Sequence, residues 1–278
     1  MTQPGLASGI ELRVAGIGLL GPGLTGWKTG RAALADPAGW SRQTTAAPAP
    51  LGLPATERRR AGTLVKAALA VAEQAVAQAG VEGAALATVF TSSTGDPLNC
   101  HLICEALAQT ERTMSPTRFT NSVHNAAAGY WHIALGSRRP STSLAAFDAS
   151  FGAGLLEAAV QCRSAQAPVL LVACDLPYPE PLNALRPIAD LFALALVLWP
   201  VDPATAATRG ERRLRLTLAH GEPGSPCDTP GLEALRRQIP AAQALPLLQG
   251  LARPDACTVV IEAAPGLALR LLLDSAAP

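Results

Sequence analysis

The chain has 278 residues, of which 49% are hydrophobic and 15% charged, and its net charge is +1. That balance argues against nucleic acid or an anionic membrane surface as the main partner. The length allows one large domain or two small ones with a sizeable core.

No apolar run in the sequence reaches the ~18 residues of a membrane span. Met1-Thr-Gln-Pro-Gly5 lacks the basic-then-apolar order of a signal peptide. The six cysteines are scattered, and Cys162 and Cys174 lie in apolar contexts that suit buried thiols in a reducing cytoplasm. Cys100 and Cys104 flank His101, but no second ligand pair has matching spacing, so no metal is expected.

In chain order, residues 11–20 read as a buried strand ending in Gly21-Pro22-Gly23, followed by a short helix within 24–35 that carries Trp27. Residues 36–55 lack any period and read as a surface loop. Arg58-Arg59-Arg60 opens an expected helix over 58–80, with apolar residues at helical spacing and Gly80 as its stop. The three arginines suit either a solvated helix start or a phosphate contact.

A strand over 85–90 runs into the polar turn Thr91 to Asp96, and helices are expected near 98–110 and 126–135. After the turn Arg138-Arg139-Pro140 comes a strand, 142–147, placed at the centre of the sheet. It leads through a tight turn into a helix over 150–164. Asp148 and Ser150 are helix-capping residue types there, and Gly152 and Gly154 permit close backbone packing. Strands follow at 169–173, 192–199 and 213–219, one or two helices broken by Pro240 and Pro246 lie in 231–251, and 257–262 and 267–273 form a hairpin. Alternating strands and helices predict an α/β fold with a mostly parallel sheet covered on both faces.

Three segments in order resemble the β-ketoacyl synthase (ketosynthase) family of the thiolase-like fold. They are Val14-Ala-Gly-Ile-Gly-Leu-Leu-Gly-Pro-Gly23; Ser115-Pro-Thr-Arg-Phe119 with Asn125-Ala-Ala-Ala-Gly129; and the 141–158 strand, turn and helix. Arg58 to Arg60, Phe147-Asp-Ala-Ser-Phe151 and Asp175-Leu-Pro-Tyr-Pro-Glu-Pro181 further resemble short stand-alone members from aryl-polyene and related clusters. The resemblance implies a complete first half over 10–200 and a reduced second half over 201–278, in a single domain spanning 1–278.

A condensing member of that family carries a cysteine at the elbow before the helix. Counting back from Glu157, that position falls on Asp148, next to Phe147, and no cysteine lies between 105 and 161. The family's C-terminal histidines also lack a counterpart, because the only later histidine is His220. Without a thiol or a proton shuttle no independent catalysis is expected, and no cofactor. Asp148 then reads as a helix cap, with action as a base as the alternative. Ser150 could be a nucleophile only with a base nearby. His124 either bonds the loop backbone or pairs with Asp148 in altered chemistry, such as a decarboxylase or hydrolase acting on acyl thioesters.

The resemblance further implies a chain-length-factor analogue that pairs with a catalytically complete ketosynthase and meets an acyl carrier protein through that complex. Phe119, Asn121, His124 and Phe147 would line the acyl channel. Ser141, Thr142, Ser143, Leu144, Ala145 and Ala146 would form the interface, and self-pairing into a homodimer is the alternative.

Overall fold

The computed structural model describes residues 9–49, 52–201 and 212–276. Met1 to Gly5 and residues 50 and 51 of the expected surface loop lie outside them. The elements run β1 (Ile10–Gly21), β2 (Leu24–Thr25), α1 (Trp27–Ala35), α2 (Ala55–Arg60), α3 (Thr63–Ala79), β3 (Ala87–Thr91), α4 (Pro97–Ala108), α5 (Pro116–Thr120), α6 (Ala126–Leu135) and β4 (Ser141–Leu144). They continue as α7 (Ser150–Ala165), β5 (Val169–Asp175), α8 (Leu182–Leu185), β6 (Phe192–Pro200), β7 (Arg212–His220), α9 (Pro230–Gln238), α10 (Leu245–Ala252), β8 (Cys257–Ala264) and β9 (Leu267–Leu273).

One sheet runs β4-β3-β5-β6-β1-β7-β9-β8, with β2 paired to β1. Its buried strands are apolar on both faces. In β6, Phe192, Leu194, Leu196 and Leu198 enter one core cluster. The alternate residues Ala193, Ala195 and Val197 enter the other. On the first face lie α7 and α10, and on the second lie α3 and α6, so the sheet is the middle of three layers.

Glycine sets the approach of α3 to β1. A Cβ on Gly18 would lie 1.8 Å from the Val71 carbonyl oxygen, so only glycine fits there. The side chains of Gln74 and Gln78 reach across the same contact and accept hydrogen bonds from the backbone N–H of Leu19 and Ile17, each at 3.0 Å.

Three expectations are corrected. The sheet is mixed rather than mostly parallel: only β3–β4 and β3–β5 pair in parallel, and the named pairs from β5 onwards are antiparallel. The β5–β6 connection holds only the single turn α8, and a strand that returns without a crossover helix lies antiparallel. The strand beginning at Ser141 is not central but at the edge, paired only with β3 among the described residues, and it ends at Leu144. Ser141, Thr142 and Ser143 are polar and the strand is at most half-buried, which suits an edge and not a central place. Finally, the 58–80 helix is two helices, because Ala61 and Gly62 adopt extended backbone between α2 and α3.

The 231–251 region holds two helices interrupted at Pro240, as expected, whereas Pro246 opens the second helix rather than breaking one. Pro240 starts a 3-10 turn and Pro246 lies in the first turn of α10, positions where a missing N–H costs nothing.

Candidate functional site

The turn between β4 and α7 is built by its own short hydrogen bonds. Ser150 Oγ donates to the Phe147 carbonyl at 2.6 Å and accepts from the Ala146 N–H at 2.9 Å. Thr91 Oγ1 donates to the Ser150 carbonyl at 2.8 Å and ties the helix start to the neighbouring strand. The Ser150 hydroxyl therefore serves the turn as both donor and acceptor, and it is buried.

The strained residue of the turn is Phe147, with φ of 52°. A left-handed backbone at a non-glycine residue marks the sharp point of a strand-to-helix elbow. The elbow thus falls one residue before Asp148, where counting back from Glu157 put it. The capping expectation for Asp148 is also corrected. The N-cap of α7 is Ala149, without a side-chain cap bond. The Asp148 carboxylate instead meets Arg186 Nη2 at 2.5 Å.

Arg186 closes over the elbow. Its guanidinium stacks on the Phe147 ring, 3.8 Å from the centroid, and also lies 5.8 Å from the Tyr178 centroid. Nη1 donates to the Tyr178 hydroxyl at 3.0 Å, and Nη2 donates to Ser93 Oγ at 2.7 Å. Ser93 in turn donates its N–H to the carboxylate of Asp175 at 2.7 Å.

Asp175 ends β5 and is buried, and it also accepts from Ser92 Oγ at 3.0 Å and the Thr94 N–H at 3.2 Å. Burial pushes its carboxyl above the ordinary range, while these hydrogen bonds pull it back down. Its role is to hold the loop that carries Ser93.

A second feature lies beside α4, α5 and the start of α3. It is a cleft of about 370 Å³, lined by Leu64, Val65, Ile103, Met114 and Val123 together with Phe119, Asn121 and His124. Phe119 is 65% exposed at its rim. Asn121 is fixed from below, donating from Nδ2 to the Arg60 carbonyl at 2.8 Å and accepting from the Tyr130 hydroxyl at 3.0 Å. The structure thus brings together three of the four expected channel residues. Phe147 is not among the lining residues and stands at the elbow.

His124 is exposed, and no hydrogen bond joins it to Asp148 or to any other residue among those described. The reading of His124 as bonded to its loop backbone is therefore corrected as well. Among the described residues no group of three or more His, Cys, Asp or Glu side chains could hold a metal ion. His101 pairs with Glu105 along α4 at 3.2 Å. Burial, and next the Cys104 thiol beside it, push the Cys100 thiol up, which disfavours a reactive thiolate.

Of the expected interface residues, Ser141 to Leu144 form the edge strand, and Ala145 and Ala146 lie in the turn after it. Ser141 Oγ accepts from Thr88 Oγ1 at 2.7 Å, and Thr142 Oγ1 accepts from Gln161 Nε2 at 2.8 Å. The side of β4 away from β3 carries no strand among the described residues. No helix among them is long and apolar enough to cross a membrane.

Sequence reasoning missed Arg186, Tyr178 and Ser93. The segment Asp175 to Pro181 did stand out, and it supplies two members of the elbow cluster. Nothing in the local sequence signals that Arg186 folds back 38 positions onto Asp148.

The family model for the β-ketoacyl synthase N-terminal domain matches residues 31–242. A search of curated proteins gave no match. Among solved structures, the chain is similar to one from a ketosynthase (ApeO) in complex with its chain length factor (ApeC) from Xenorhabdus doucetiae. The identity is 23% and the TM-score 0.69, covering 95% of this chain and 99% of that one. It is also similar to a chain of the ishigamide ketosynthase/chain length factor, at 13% identity and TM-score 0.68, covering 97% and 100%. A β-ketoacyl synthase from Burkholderia phymatum STM815 matches at 13% identity and TM-score 0.68, covering 96% and 100%. At these identities the likeness establishes the thiolase-like fold.

Proposed function

The chain belongs to the β-ketoacyl synthase N-terminal-domain family, and on that premise we propose that it is a non-catalytic, ketosynthase-like subunit. It pairs as a chain-length-factor analogue with a catalytically complete ketosynthase and meets the acyl carrier protein through that complex. It acts as one domain over 1–278, in the cytoplasm, in a polyketide, aryl-polyene or fatty-acid-like pathway.

One observation carries the reading. The elbow is intact as backbone but holds Phe147 at its strained position, with Arg186 stacked on the ring and Asp148 neutralised beside it. A thiolate at a helix N-terminus is a competent acyl acceptor, and a phenyl ring is not. The occurrence of ketosynthase/chain length factor complexes among the similar structures supports a paired role. So does the open edge of β4, since an unpaired edge strand is a template for another strand. The interface we propose is Ser141 to Ala146, and homodimer formation through the same edge is the competing assembly.

Altered chemistry on His124 and Asp148 lacks the hydrogen bond that a base pair of this kind needs, because the Asp148 carboxylate faces Arg186. The test is intact mass spectrometry of the purified chain after incubation with acyl carrier protein thioesters. No covalent adduct is expected, and a stable acyl adduct on this chain would overturn the non-catalytic reading. In a working complex Phe119→Ala should shift product length, and unchanged lengths would remove the cleft from the acyl channel.

A further inference from the structure

We draw no further inference here: the strongest candidate, the groove of about 510 Å³ between α1 and α3 lined by Lys28, Arg31, Gln74 and Gln78, rests on exposed or half-exposed side chains beside the N-terminus of α1, and no second observation in the structure points to a ligand there.

Discussion

Arg186 and Phe147 are stacked, with the guanidinium carbon 3.8 Å from the ring centroid, and this pair covers the sharp point of the elbow. Phe147 remains 64% exposed, so the arginine shields one face of the ring and leaves the other open. The positive charge meets Asp148 at the same place, just before the positive end of the α7 dipole.

From this arrangement, Asp148→Ala is expected to cost less than about 1 kcal/mol, the worth of an exposed ion pair, because no cap bond is lost. Arg186→Ala should cost more, about 1–2 kcal/mol, since it also removes the stack on Phe147 and the bonds to Tyr178 and Ser93. Urea unfolding of the two variants gives the comparison. A larger loss for Asp148→Ala than for Arg186→Ala would contradict the roles assigned here.

The contact of α3 with β1 is set by backbone against backbone. Gly18→Ala drives a methyl group to within 1.8 Å of the Val71 carbonyl oxygen and should cost about 3 kcal/mol or more. Gly39→Ala meets nothing within 4 Å and should stay within about 0.5 kcal/mol of the natural chain. Equal melting temperatures for the two variants would mean that α3 does not pack on β1 as described.

Glu233 is expected to contribute to the acid limb of stability. Hydrogen bonds from Arg236 hold its carboxyl down to about 2, helped by the Cys227 N–H and by Arg237. A depressed folded-state value means that the stabilisation is fully present above the unfolded value of 4.5 and is lost as pH falls towards about 2. Glu233→Gln should therefore lower stability at neutral pH by roughly 2–3 kcal/mol and flatten the fall between those two pH values. Parallel pH profiles for the variant and the natural chain would assign the acid limb to other groups.

Most elements could be read from the sequence because their signals are local. A continuous apolar run marks β6, helical spacing with Gly80 marks α3, and the turn Pro265-Gly266 before Leu267 to Leu273 marks the second arm of the hairpin. Strand direction could not be read the same way. An apolar run is compatible with either orientation, and only the missing crossover helix between β5 and β6 reverses the chain. The break at Ala61 and Gly62 also escaped, because neither residue interrupts the apolar period.

At the candidate site the limits were of the same kind. Phe119, Asn121 and His124 share a cleft because α5 and the following turn keep them close in sequence. Asp148 carries the residue type of a cap, yet a cation far along the chain draws its carboxylate away from the helix. Asp96 is a cap, as its residue type suggests.

Pairing through β4 is the central claim, and native mass spectrometry of this chain co-expressed with a catalytically complete ketosynthase from the same genome tests it most directly. The expected result is a 1:1 heterodimer that disappears with Ala145→Glu, a charge placed at the exposed residue just after the edge strand. A chain that stays monomeric, or that forms only homodimers in the presence of every such ketosynthase, would contradict the account.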